Sequence, residues 1–271
     1  MDIKRILTTV VGLPLVVLLI IFGNMFLMDT VVAVIAIIAM YEYSKCSGKE
    51  VKFIAWVGYL AAASLAFIHI VPEMVLNTVI TLGVPIILFF LFFSVIVTNM
   101  KITFKDVAFS FVGILYIVGF LGFLAILYGV TGKISGKYLV WFVILNAWGT
   151  DVFAYLVGKH FGKHKFSVVS PNKTIEGCIG GMTGAVVFSL ICAYIMNTYF
   201  GTEIVYSTIG IISVILSIVG QIGDFSASVI KRYFGIKDFS ELFPGHGGMI
   251  DRVDSVMFIA PFAYFLLTMF L

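Results

Sequence analysis

Charge is what this chain has least of. Of its 271 residues only 11% are Asp, Glu, Lys or Arg, while 61% are hydrophobic, whereas a soluble domain carries roughly 25% charged residues. A water-soluble globular fold is thereby excluded, because so few charges cannot cover its surface. Cysteine is equally scarce: Cys46, Cys178 and Cys192 are odd in number and lack C-x-x-C spacing. They read as small core residues and say little about redox compartment. There is no internal repeat and no low-complexity segment. The start, MDIKR before an apolar run from Ile6 to Met28, has the charge of a secretory leader but no A-x-A-like cleavage site, so it reads as a retained membrane anchor. A formal charge of +3 without a basic tail or aromatic-basic interleaving gives no support to a nucleic-acid partner.

Long apolar runs are what the chain does have, with 27 phenylalanines spread along its length. About twenty apolar residues span a bilayer. Divided at its charged, Pro, Gly and Asn positions, the sequence predicts an all-α polytopic membrane protein with about nine transmembrane helices. Their expected limits are 6–22, 29–44, 53–70, 74–98, 107–130, 137–158, 174–199, 206–231 and 250–271. Residues 29–44 are short for a span, so residues 6–44 form either two spans or a re-entrant hairpin. The expected organisation is one integral membrane domain, 1–271, with N-terminal helices over 1–130 and catalytic helices and cytoplasmic loops over 131–271.

Lysine and arginine favour cytoplasmic loops. With nine spans and a cytoplasmic N-terminus, all of the 17 basic residues except Lys133 and Lys137 fall inside. Both long polar loops, 159–173 and 232–249, then face the cytoplasm. In the seventh span Gly180 and Gly184 form a G-x-x-x-G pair, which allows close backbone approach. Internal packing is the preferred reading over a dimer seam.

Residues 224 to 254 are the polar exception between apolar runs, holding Asp224, Asp238, Glu241, Asp251 and Asp254 together with Lys231, Arg232, Lys237 and Arg252. Helical spacing puts Asp224, Ser228 and Lys231 on one face, with Asp224 roughly 10 Å deeper than the basic pair. An acid at that depth needs a cation or a water-filled cavity. Asp251 and Asp254, three residues apart, share a face of the ninth span. Three carboxylates offering only oxygen suit Mg²⁺, which keeps waters and takes substrate phosphates as further ligands. The alternative is simple pairing with Lys231, Arg232 and Arg252.

Before the ninth span lies Pro244-Gly245-His246-Gly247-Gly248, whose glycines and following helix start suit a phosphate. His246 can bond a phosphate oxygen or move a proton, and equally can be a structural hydrogen-bonding residue. Lys173 and Thr174 stand at another helix start that suits an anion. His160 and His164 have i, i+4 spacing, but Gly162 and the neighbouring lysines argue against a metal there. Asp151, after Asn146, Trp148 and Thr150, is expected to line the same cavity as Asp224, with lysine pairing as the alternative. Phosphates, a divalent cation and cationic side chains together point to transfer at phosphorus.

The run Ser228, Lys231-Arg232, Lys237-Asp238, His246-Gly247-Gly248, Asp251-Arg252 and Asp254 resembles the motif of the CDP-diacylglycerol synthases, or phosphatidate cytidylyltransferases. The segment from Ser170 to Gly177 is similar to a second loop of that family, with Asn172 where many members carry lysine. The resemblance implies an integral enzyme of the bacterial cytoplasmic membrane, its active site facing the cytoplasm and often working as a homodimer. It would join CTP and phosphatidic acid into CDP-diacylglycerol and pyrophosphate with Mg²⁺, as one ion or with a second cation. Carried onto this chain, Asp224, Asp251 and Asp254 are metal ligands, and Lys173, Lys231, Arg232 and Lys237 bind phosphates. Two other readings stand beside it. A CTP-dependent lipid kinase would need a general base such as His246 or Asp238. A cation or phosphate transporter would use the same intramembrane acids as an ion path.

Overall fold

The computed structural model describes residues 3–48, 50–167, 169–243, 245 and 247–271, with side chains from residue 12 onward; Pro244 and His246 lie outside the described residues. Among these residues every regular element is helical, and β-pairing is confined to the isolated bridges Lys165–Thr174 and Phe243–Gly247. The helices are α1 (Ile3–Phe22), α2 (Met25–Cys46), α3 (Ala55–Ser64), α4 (Glu73–Val97), α5 (Phe104–Ile114), α6 (Phe120–Tyr128), α7 (Gly136–Phe161), α8 (Ile175–Phe200), α9 (Tyr206–Tyr233) and α10 (Ile250–Phe270). A 3-10 turn over Leu65–Phe67 extends α3, and a π turn over Leu115–Gly119 joins α5 to α6.

Seven helical segments among the described residues are long and apolar enough to cross a membrane: Met25–Cys46, Glu73–Val97, Phe104–Tyr128, Gly136–Phe161, Ile175–Phe200, Tyr206–Tyr233 and Ile250–Phe270. The protein is thus an all-helical integral membrane protein. Two apolar stretches are shorter: Ala55–Phe67 and, within the 20-residue α1, the described part Gly12–Phe22. On α4 Phe89, Phe92, Phe93 and Ile96 are all exposed, an arrangement that lipid accommodates and water does not.

The expected limits need correction in two places. First, α2 starts at Met25 rather than 29, because the side chain of Asn24 caps it by accepting from the N–H of Leu27 at 2.7 Å. Asp29, expected at a border, lies inside the helix. Its carboxylate accepts the backbone N–H of His69 at 3.0 Å and sits 2.8 Å from His69 Nδ1, so its polar atoms are matched although it is fully buried. The segment is therefore of full spanning length. Second, the helix expected over 53–70 covers only Ala55–Phe67. The chain before it is held out of the helix by Asp106 and Ser110, which accept the N–H groups of Lys52 and Ile54 at 2.7 and 2.8 Å.

The chain divides into two compact units, one of Met1–Ile126 with Ile236–Ile250 and one of Leu127–Gly235 with Asp251–Leu271. In the first unit Tyr43 of α2 stacks on Phe109 of α5 with ring centroids 4.5 Å apart. A Cβ at Gly113 would lie 2.3 Å from the Tyr43 ring, so only glycine permits this approach.

The second unit is built on the α7–α8 pair. A Cβ at Gly180 would stand 2.5 Å from Val157, and one at Gly184 would stand 2.3 Å from Phe153. The G-x-x-x-G pair thus packs internally. Helix α9 is tied to α7 by polar side chains one turn apart: Asn146 donates to Ser213 Oγ at 2.7 Å, and Thr150 meets Ser217 at 2.8 Å. Such bonds join helices where the hydrophobic effect between them is weak. Helix α10 comes so close to α9 that a Cβ at Gly223 would lie 2.7 Å from the carbonyl oxygen of Asp254.

Candidate active site

Gly223 immediately precedes Asp224, so this helix contact sets Asp254 beside Asp224 before any side-chain interaction is considered. Asp224 is half-buried on α9, and its carboxylate forms an ion pair with Lys173, whose ammonium also lies 4.5 Å from the centroid of the Phe225 ring. Such a position gives the cation both a charge partner and a π face. Asp151, Asp224 and Asp254 lie within electrostatic reach of one another.

Asp151, Lys173, Thr174 and Asp224 line one cavity of about 510 Å³. Lys159, Ser170, Asn172 and Gln221 add further polar groups to the wall. The cavity is large enough for a small polar ligand. Its loop is shaped locally. Thr174 caps α8 by accepting the N–H of Gly177 at 3.1 Å, and backbone bonds from Phe166 to Lys173 and from Ile175 to His164 close the turn at 3.0 and 2.9 Å. Gly158 leaves room for this cap, since a Cβ there would stand 3.1 Å from Thr174 Oγ1.

His164 Nδ1 sits 2.6 Å from Glu176, and His160 Nδ1 sits 2.9 Å from the carbonyl of Leu156. Each ring uses Nδ1 for a bond within its own neighbourhood.

Lys231 and Asp251 form a second ion pair, 2.6 Å long, with side chains only 14% and 5% exposed. Arg232 reaches the carbonyl of Val169 at 3.4 Å. Ser228 follows Asp224 by one helical turn and is half-buried. Two of the three carboxylates that the sequence offered as ligands, Asp224 and Asp251, thus have lysine partners, and the partner of Asp224 comes from a distant loop. The buried Asp254 accepts the N–H of Ser255 at 2.7 Å through one carboxylate oxygen.

Oxygen-only donors of this kind fit a hard divalent cation. Among the described residues no three His, Cys, Asp or Glu side chains come close enough to form a metal shell by themselves. Mg²⁺ takes one or two carboxylates and completes its shell with water and substrate phosphate, so oxygen donors such as Asp224 and Asp254 could hold it.

Lys237, Asp238, Gly247 and Gly248 fall in the other compact unit. Lys237 and Asp238 are exposed. At the glycine turn the structure revises the sequence-based picture of a free helix start. The N–H groups of Met249 and Ile250 donate to the carboxylate of Glu42 at 2.8 and 2.9 Å, so the anion at this helix start is supplied by the protein. Gly247 has φ +80°, and a Cβ at Gly248 would lie 2.6 Å from both Glu42 carboxylate oxygens. Sequence reading missed Glu42. Its signal was an acid within the apolar run of α2, the same criterion that drew attention to Asp151.

Comparison with known proteins agrees with this geometry. Residues 3–270 match the cytidylyltransferase family. A protein of Staphylococcus saprophyticus named phosphatidate cytidylyltransferase is 32% identical over 272 residues, covering 97% of this chain and 98% of its own length. Proteins of the same name from Staphylococcus aureus and Staphylococcus epidermidis are 33% and 30% identical, each again over 97% of this chain and 98% of their own length. With a match along nearly its whole length, the chain belongs to the cytidylyltransferase family.

Proposed function

We propose that this protein is a phosphatidate cytidylyltransferase, joining CTP and phosphatidic acid into CDP-diacylglycerol with release of pyrophosphate. The observation that carries this reading is the cavity in which Lys173 and Asp224 meet, a charged pocket opening among helices otherwise suited to lipid. An oxygen of the lipid phosphate attacks the α-phosphorus of CTP, and the bond from that phosphorus to the oxygen bridging the α- and β-phosphates breaks. The electron pair leaves with pyrophosphate. The nucleophile is already anionic, so this step requires no side chain to remove a proton, and the protein's task is positioning and charge neutralisation.

In this mechanism Lys173 holds phosphate oxygens at the cavity, and Thr174, as cap of α8, fixes the loop that carries it. Lys231 and Arg232 are further phosphate contacts. Lys237 takes such a role on the strength of the sequence pattern. Asp224, Asp251 and Asp254 are the carboxylates of which one or two would hold Mg²⁺, which when bound would draw charge from the phosphate oxygens. Asp151 orients the Lys173 side of the cavity through its charge. We further infer nine membrane crossings, completed by the two shorter apolar helices, with the N-terminus and the cavity on the cytoplasmic side of a bacterial membrane. The distribution of lysine and arginine supports that orientation. A homodimer is the proposed assembly.

The test is an assay of purified protein in detergent with cytidine-labelled CTP and phosphatidic acid, with and without Mg²⁺. A cytidine-bearing lipid that forms only with the metal is the expected product. Transfer of label from γ-labelled CTP to a lipid alcohol would replace this reading with a lipid kinase. Ion movement in liposomes without any such lipid product would replace it with a transporter.

A further inference from the structure

Ser240, Met249 and Ile250 converge on one buried carboxylate. Glu42 is 2% exposed. Its Oε1 accepts the hydroxyl of Ser240 at 2.6 Å and the N–H of Met249 at 2.8 Å, while Oε2 accepts the N–H of Ile250 at 2.9 Å. The partners lie 198 to 208 residues away in sequence and bracket the loop from its middle to its end. The loop is further closed by Phe243 donating to Gly247 at 2.9 Å. Gly248 leaves no space beyond a hydrogen at the carboxylate.

We propose that Glu42 is a positioning residue for cytidylyl transfer, an internal anion that holds Ser240 and the 247–250 segment in their working geometry; this rests on the function proposed above. The chemistry singles out a carboxylate. Two backbone N–H groups and a hydroxyl converge on it, and charge-assisted bonds of this kind are stronger than neutral ones. A glutamine would offer a single acceptor oxygen, and its amide N–H₂ would confront a backbone donor. Burying a charge is costly and makes poor cement for a fold. A carboxylate does, however, fix several donors at once in one geometry. Glu42 holds Ser240 two residues after Asp238, and Met249 and Ile250 immediately before Asp251. These neighbours belong to the motif that the proposed reaction employs.

The experiment uses the full chain in detergent, comparing wild type with Glu42→Gln by hydrogen exchange and by steady-state kinetics. Exchange of the 247–250 amides should accelerate by about 10-fold or more, the loss expected of a charge-assisted bond, while α7 and α8 exchange as in wild type. The kcat should fall by about 10-fold or more, with both KM values within about 3-fold of wild type. Ser240→Ala, which keeps both amide bonds, should lose only a few-fold in kcat. Should Glu42→Gln not fold, Gly248→Ala applies the same perturbation, since its Cβ displaces the carboxylate, and it should show the same local exchange and the same kcat loss. Wild-type exchange at 247–250, wild-type kcat, or faster exchange throughout the protein would each overturn the proposal. If wild type itself makes no cytidine-bearing lipid, the proposed function fails. The exchange pattern then still decides whether Glu42 holds the loop.

Discussion

The Lys173–Asp224 pair allows a decision between a structural and a chemical role for the cavity's acids. The variants are Lys173→Met, Asp224→Asn and the two combined. Each single change strands one charge. The two side chains are 29% and 26% exposed, so the pair lies between surface pairs, which contribute up to about 1 kcal/mol, and buried pairs, where loss of one partner costs about 3–5 kcal/mol. Each single variant should therefore lose about 1–3 kcal/mol of stability. The double variant, with no stranded charge, should recover most of it, and a thermal-unfolding cycle in detergent measures the coupling. Activity should behave differently. Formation of cytidine-bearing lipid should remain below about 1% of wild type in all three variants, because a transition state deprived of its charged contacts loses several kcal/mol. A double variant that regained both stability and turnover would show the pair to be a structural salt bridge and would refute the assignment of Asp224 and Lys173 to the reaction.

Three other perturbations test the fold around the site. Gly184→Ala should lower stability by about 1–3 kcal/mol by overpacking, because its Cβ would fall 2.3 Å from Phe153; an unchanged unfolding temperature in detergent would contradict the close α7–α8 contact. Thr174→Ala should cost about 1 kcal/mol through loss of the α8 cap, and Thr174→Ser should restore it; equal unfolding temperatures for all three proteins would deny the cap. In a background without Cys46, Cys178 and Cys192, Lys137→Cys and Lys163→Cys should label from opposite sides of sealed vesicles. Labelling from the same side would overturn the inferred topology.

Several features of the molecule were open to reading along the chain, since they depend on local composition or spacing. Asp224, Lys231, Asp251 and Asp254 stood out because charge inside apolar segments is rare; the same contrast led to an expectation of nine spans, of which seven among the described residues are long and apolar enough to cross a membrane. Helix limits were less accessible. Asp29 looked like a boundary, yet it lies within α2 because His69, forty residues on, satisfies it. Lys173 and Asp224 were each legible as polar residues, but 51 positions separate them and no periodicity relates the two. The glycine turn had a clear conformational signature, while the anion it serves came from Glu42, about two hundred residues earlier.

The sequence by itself determined the solvent, the helical class and the polar segments that carry chemistry, because lipid burial and helix length act through residues near one another in the chain. Only the tertiary structure decided partners: Lys173 for Asp224, Lys231 for Asp251, and Glu42 for the start of α10. A buried charge is stabilised by whichever group packing brings within a few ångströms, and close helix contacts such as those at Gly180, Gly184 and Gly223 in the unit that holds Lys173, Asp224, Lys231 and Asp251 are not set by sequence distance.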